Sequence, residues 1–182
     1  LFFLLYRINF VDCKNNGSFF SLETLEKLKL CLTDIALGLG YEKAGINTCL
    51  DTSGSILNDG VKALLKVTDR VLLDIKYTTD ELYKKYAGCE MKPVLEFLDY
   101  LDKEKIPVTL RQVIIPTLND NEENILKLKA LSEENECVQK IELLPFRKIC
   151  QVKYDKIGIE FPFGHLPEPK KELMDSLNTL LN

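Results

Sequence analysis

Cys49-Leu50-Asp51-Thr52-Ser53-Gly54 and, 23 positions further along, Leu72-Leu73-Asp74-Ile75-Lys76 are apolar runs that end in charge. Side chains on a strand alternate between faces, so Leu72, Asp74 and Lys76 share one face while Val71, Leu73 and Ile75 share the other. A strand buried on both sides carries charge only near its end or with partners. The first run places Asp51 and Thr52 at the exit of a strand over 46–50, with Ser53-Gly54 turning the chain. Two neighbouring parallel strands of this kind present Asp51, Thr52, Asp74 and Lys76 around one mouth. In parallel α/β sheets and barrels, ligands bind at the carboxyl ends of the strands.

Outward from these runs, helix-period and strand-like segments alternate. Leu22, Leu25, Leu28, Leu32, Ile35 and Leu39 predict an amphipathic helix capped by Ser21, with Gly45 before the next strand. A short helix over 59–66 leads to a strand over 70–75, and residues 80–86 precede a helix over 93–105 that starts at a proline. A strand over 108–115 stops at Pro116, and Asn119-Asp120-Asn121 turns into a helix over 122–132. That acidic turn lacks the spacing of an EF-hand and reads as a helix start. A strand over 140–144 ends at Pro145; an irregular stretch follows, and Pro167 and Pro169 introduce a last helix carrying Leu173, Met174, Leu177, Leu180 and Leu181. Strands begin near 46, 70, 107 and 140, a recurrence expected of βα units with right-handed crossovers. Four strands do not close a barrel, and a full eight-unit barrel needs about 250 residues. The expectation is α/β: an open or partial barrel in one domain over 21–182, with 1–20 unassigned.

The 182 residues carry 24 Lys and Arg against 28 Asp and Glu, a net charge of −4, and 46% are apolar, enough for a real core. Acidic balance without a basic cluster argues against nucleic acid and anionic membrane as partners. Leu1-Phe-Phe-Leu-Leu-Tyr6 is too short to span a bilayer and lacks the basic leader of a secretory signal, so a cytoplasmic address is expected. With no initiator Met, the run also reads as the middle of something longer. Cysteines stand at 13, 31, 49, 89, 137 and 150 with no close pair, which suits small buried hydrophobes better than zinc or iron-sulfur ligation. Cys49 and Cys150 lie nearest the expected mouth. His165, in a Gly-His-Leu-Pro loop, reads as solvated.

Two charges interrupt the later strands, Arg111 and Glu142. On adjacent strands they can neutralise each other, or they can belong to a polar ligand cavity. The mouth residues have equally plain readings: Asp51, Thr52 and Ser53 as caps for loop amides, Asp74 with Lys76 as a local ion pair.

The phrases Ile46-Asn-Thr-Cys-Leu-Asp-Thr-Ser-Gly54, Val71-Leu-Leu-Asp-Ile-Lys76, Leu110-Arg-Gln-Val-Ile-Ile-Pro116 and Lys140-Ile-Glu-Leu-Leu-Pro-Phe146 resemble, in this order, the pyruvate formate-lyase activating enzymes. Lys153-Tyr154 and Pro167-Glu-Pro-Lys-Lys-Glu172 extend the likeness, which covers roughly residues 25–182. The resemblance implies a radical S-adenosylmethionine enzyme on a partial (β/α)6 barrel, the strands here being its third to sixth. Such enzymes cleave S-adenosylmethionine reductively with a four-iron four-sulfur (4Fe-4S) cluster. The deoxyadenosyl radical then takes a hydrogen atom from a glycine of pyruvate formate-lyase or another glycyl radical enzyme, and the electron comes from a flavodoxin-type reductant. By the same resemblance Asp51, Thr52, Asp74 and the Leu72 carbonyl form a monovalent-cation site beside the cofactor's methionyl carboxylate. Lys76 is that carboxylate's ion-pair partner, and Arg111 and Arg147 also face cofactor or substrate. Hard oxygen ligands suit such an ion, and an ammonium adds a charge-assisted hydrogen bond.

The sequence departs from the family in two ways. The C-x-x-x-C-x-x-C cluster motif and the Gly-Gly-Glu segment are absent from this chain, so the resemblance assigns it no cluster ligand and identifies no catalytic residue in it. Further, Arg147 stands where the family has His, and Cys150 where it has Gly. Arg147 can grip a carboxylate but cannot titrate. Three readings follow: part of an activase, inactive alone; a half-barrel binding or decayed module without a cluster; and, from chemistry alone, a barrel lyase using Lys76 as a Schiff-base nucleophile beside Asp74. An open barrel also exposes a strand edge, which predicts poor solubility of the isolated chain.

Overall fold

The computed structural model describes the backbone at Asn9–Phe10 and Phe20–Ser21, together with Gly45 and residues 47–182. The helix expected over 22–39, and Cys13 and Cys31, lie outside the described residues. Asn9–Phe10 (β1) and Phe20–Ser21 (β2) pair antiparallel. The main sheet holds Cys49–Thr52 (β3), Arg70–Asp74 (β4), Val108–Ile114 (β5) and Val138–Pro145 (β6), all parallel and in sequential order.

Alternation builds this sheet as the apolar pattern requires. Val71, Leu73 and Ile75 are wholly buried while Leu72 and Asp74 on the other face are only partly so. Burying each such aliphatic side chain stabilises the fold by about 1.5–3 kcal/mol. Helices cover the buried face: Asp59–Leu65 (α1), Lys92–Lys103 (α3) and Glu122–Glu133 (α4). The short Asp80–Leu82 (α2) runs into a π-helical turn at Tyr83–Ala87. Capping fixes where they start: Asn58 Oδ1 accepts from Val61 N at 2.9 Å and Asn121 Oδ1 from Asn124 N at 2.9 Å. In α3 the i, i+3, i+4 and i+7 positions Val94, Phe97, Leu98 and Leu101 are buried, one apolar stripe turned to the core.

At the amino ends of β3 and β4, Thr48 N donates to Asp69 Oδ2 at 2.6 Å and Thr48 Oγ1 to the Val67 carbonyl at 2.9 Å. This clamp fixes the stagger of the two strands from below, so that Asp51 lies opposite Leu72 and Thr52 opposite Leu73. Further along, Asp74, Arg111 and Glu142 stand in one row across three strands.

Several expected boundaries move. The strand placed at 46–50 is Cys49–Thr52, so Asp51 and Thr52 lie within it and point to opposite faces. Beyond Pro145, where the sequence reads as irregular, a 3₁₀ turn at Lys148–Cys150 leads into a helix at Gln151–Ile157 (α5). The apolar side chains of the turn and helix escape the periodicity because Ile149 in the turn and Val152 and Ile157 in α5 face solvent, while Cys150 and Tyr154 pack on Phe161 and Phe146. The last helix is Lys171–Thr179 (α6), and Leu180 and Leu181, beyond its end, still pack against the core.

Candidate functional site at the strand ends

Asp51 near the end of β3, Asp74 at the end of β4, Lys76 two residues on and Arg111 in β5 meet on one face of the sheet. Arg111 Nη2 donates to Asp51 Oδ1 and lies 2.8 Å from Asp74 Oδ1, which also accepts from Arg111 Nε at 2.9 Å. The other oxygen of Asp74 takes Lys76 Nζ at 2.7 Å. The guanidinium therefore lies between two carboxylates, and the four charges sum to zero. Registry explains the meeting: Arg111 is the lateral neighbour of Asp74, and Asp51 lies one strand further over on the same face.

Burial pushes the Asp51 carboxyl above its ordinary range, Arg111 opposes that shift, and neighbouring Asp74 adds to it. Burial works against the charge on Arg111, but Asp74 and Asp51 outweigh it and hold the guanidinium more firmly protonated. Tyr83, buried beneath the Lys76 segment, accepts a hydrogen bond from Lys76 N at 3.0 Å. Burial drives its phenol well upward, so it stays neutral and serves as a fixed post for the backbone that carries Lys76.

Of the two readings open for Arg111 and Glu142, the mutual ion pair does not form. The strands are adjacent and the two residues are register partners, but Arg111 turns to the acidic side of its row, and Glu142 has Lys140 at 3.5 Å. Two carboxylates attract the guanidinium more strongly than one, and Asp51 and Asp74 are the more enclosed. The local pair of Asp74 with Lys76 does form. Of the loop-capping readings, Thr52 alone follows suit: its Oγ1 accepts from Gly54 N at 3.1 Å, while Ser53 Oγ is buried without a hydrogen-bond partner among the described residues.

Gly54 is required where it stands. Its φ is +64°, and a Cβ there meets Leu73 Cδ1 at 2.7 Å and Phe97 Cγ at 3.2 Å. The turn after Asp51 thus closes directly onto the core.

Arg147 is placed elsewhere. Its Nη1 donates to Glu168 Oε2 at 2.6 Å, Glu168 Oε1 accepts from Lys148 N at 3.2 Å, and Lys148 Nζ reaches the Gly164 carbonyl at 2.6 Å. These bonds tie the end of β6 to the proline-rich segment before α6. His165 is exposed as expected; Cys49 is buried toward the amino end of β3, away from the mouth, and Cys150 lines the Phe146–Phe161 cluster.

The donor set defines what the site can hold. An ammonium carries three hydrogens, of which Asp74 takes one, and Lys76 is 37% exposed, so a carboxylate can reach it. Lys76 is thus the open donor of the cluster, while Arg111 Nε and Nη2 are already engaged by Asp74 and Asp51. The residues assigned to a monovalent ion do not converge on one point, because Arg111 occupies the space between Asp51 and Asp74 and Thr52 turns to Gly54. Among the described residues no three His, Cys, Asp or Glu side chains stand together as metal ligands. The Schiff-base reading gains nothing from Lys76, which lies in an ion pair rather than an apolar pocket.

No protein-family model matches the chain. Among solved structures it is similar to a domain of a pyruvate-formate lyase-activating enzyme from Bacteroides vulgatus, with a TM-score of 0.68 at 16% identity over 87% of this chain and 89% of that one. It is also similar to a radical SAM methyltransferase from Sphaerobacter thermophilus, with a TM-score of 0.51 at 17% identity over 73% of this chain and 36% of that one. The fold is thus that of a partial radical S-adenosylmethionine barrel. By sequence the chain is 34% identical over 142 residues to the pyruvate formate-lyase 1-activating enzyme of Escherichia coli, a match that takes in 77% of the chain. The chain is a homologue of the pyruvate formate-lyase-activating enzymes. It spans 58% of the length of that relative. None of its described helices is long and apolar enough to cross a membrane.

Proposed function

We propose that this chain is the part of a glycyl-radical-enzyme activase that grips the carboxylate of S-adenosylmethionine. The supporting observation is the convergence of Lys76, just beyond β4, and Arg111, in the middle of β5, on Asp74 at the carboxyl end of β4, in a homologue of such activases. Lys76 offers the exposed charge-assisted hydrogen bond, and Arg111 fixes Asp74 and Asp51 so that neither carboxylate repels the ligand. Tyr83 holds the Lys76 backbone from below.

When bound to a complete enzyme of this family, S-adenosylmethionine supplies a carbon radical on reductive cleavage by a 4Fe-4S cluster. The described residues furnish no ligands for that cluster, and the chain alone is inactive in this reading. Pyruvate formate-lyase or another glycyl radical enzyme is the substrate, a flavodoxin-type protein the reductant and the cytoplasm the setting. A monovalent ion at Asp51, Thr52, Asp74 and the Leu72 carbonyl belongs to the same family reading; in the present arrangement Arg111 supplies that positive charge. Arg147, clasped to Glu168, would reach a ligand only after releasing that partner.

Isothermal titration of S-adenosylmethionine into the chain and into Lys76→Met tests the reading. Loss of one charge-assisted hydrogen bond weakens binding by about tenfold. Equal affinity of the two proteins, or no binding by the unaltered chain, overturns it.

A further inference from the structure

We propose that Asn124 is a positioning residue for the carboxylate grip, setting the segment that carries Lys76 against the strand that carries Arg111. Asn124 lies in the first turn of α4, on the helix side of the sheet. Its side chain is buried and makes three hydrogen bonds. Oδ1 accepts from Thr78 Oγ1 at 2.8 Å, and Nδ2 donates to Gln112 Oε1 at 2.7 Å and to the Asn119 carbonyl at 2.8 Å. Thr78 is two residues beyond Lys76, and Gln112 directly follows Arg111. One amide therefore joins the backbones that deliver both cations.

The orientation of that amide is forced. A carbonyl can only accept, so the Asn119 carbonyl requires Nδ2 on its side and leaves Oδ1 for Thr78. Gln112 must then present its oxygen, which strands its own Nε2 without a partner although the residue is 1% exposed. A buried donor left unpaired is costly, and a fold that only needed to pack α4 on β5 would avoid it with apolar residues. Asn119 extends the same network, accepting from Ile115 N at 2.7 Å and donating to the Val113 carbonyl at 2.9 Å, so the carboxyl end of β5 is held rigid. Thr78 is the one bond of the set that reaches across to the Lys76 segment.

The inference rests on the carboxylate reading of Lys76 and Arg111, and its test separates the two. Affinities for S-adenosylmethionine and for decarboxylated S-adenosylmethionine are measured on the full chain, on Thr78→Val, Thr78→Ser and Asn124→Asp, and on Lys76→Met. The unaltered chain should favour the carboxylate ligand by about tenfold, the worth of one charge-assisted hydrogen bond. Thr78→Val and Asn124→Asp should cut that preference about threefold or more while changing affinity for the decarboxylated ligand less than about twofold, and Thr78→Ser, which keeps the hydroxyl, should restore it. Equal weakening toward both ligands, or an unchanged preference, assigns Asn124 to stability alone and overturns the inference. If Lys76→Met abolishes the preference while Thr78→Val leaves it, the carboxylate reading stands and the inference falls. Absence of any preference in the unaltered chain overturns both.

Discussion

Two arginines in this chain each hold a carboxylate, and their surroundings make them different devices. Arg111 is 16% exposed and stands between Asp51 and Asp74 on the sheet, whereas Arg147 is 56% exposed and reaches one carboxylate, Glu168, across a loop. In the first case the charges have given up most of their water, so each depends on the others and removal of one leaves an uncompensated charge. In the second, solvent screens the pair and can replace either partner. The same side chain is thus a structural necessity at the mouth and an adjustable latch at the end of β6.

Arg111→Met should show the largest effect. It leaves Asp51 and Asp74 facing each other, and loss of a partner from an enclosed pair destabilises by about 3 kcal/mol, read as a fall in the urea midpoint. A loss under about 1 kcal/mol would erase the contrast with Arg147. The pH dependence has a definite sign. Burial already raises Asp51, and removing Arg111 removes a force that lowers it. A carboxyl raised in the folded state contributes less stability as pH rises through its folded value, so the deficit of Arg111→Met should be greatest at neutral pH and shrink on acidification.

Gly54→Ala comes next. A side chain at φ +64° that meets Leu73 Cδ1 at 2.7 Å is strained in both backbone and packing. The cost should be about 2 kcal/mol in the same unfolding measurement, and the displaced turn should also weaken the Asp51 contact. Crystallographic or NMR retention of the Asp51–Arg111 contact in this variant would show that the cluster does not depend on the turn.

Lys76→Met separates stability from binding within the cluster. Lys76 is the outermost of the four charges, so its removal should cost less than about 1 kcal/mol in the urea midpoint, in contrast to Arg111→Met, while ligand affinity falls. Arg147→Met should have the smallest effect, a midpoint indistinguishable from that of the unaltered chain at neutral pH. Glu168 is held below its ordinary range first by the hydrogen bond from Arg147, so whatever stability the pair contributes is present above that range and disappears as pH falls through the folded value. A clear loss on Arg147→Met would mean that the segment before α6 is held by this bond rather than by Phe161 and its neighbours.

Much of the sheet was legible from one dimension, for a definite reason. Strands β3 to β6 are short apolar runs bounded by turn residues, and the face assignment of Leu72, Asp74 and Lys76 against Val71, Leu73 and Ile75 follows from a period of two that no packing alters. Helix α5 was not legible, because its apolar residues largely face solvent and periodicity reports burial rather than helicity. The Thr78–Asn124–Gln112 network was equally hidden: these residues lie 46 and 12 positions apart in pairs, and polar side chains carry no mark of their partners.

The sequence by itself determined which residues carry charge at the ends of which strands, and by resemblance the family, since both are written in local order. Tertiary structure alone decided the partner of Arg111. Asp74 and Glu142 flank it equally in the ladder, and the choice fell to the side where a second carboxylate, Asp51, arrives from 60 positions away, because charge pairing depends on distance through space and on lost water rather than on separation along the chain.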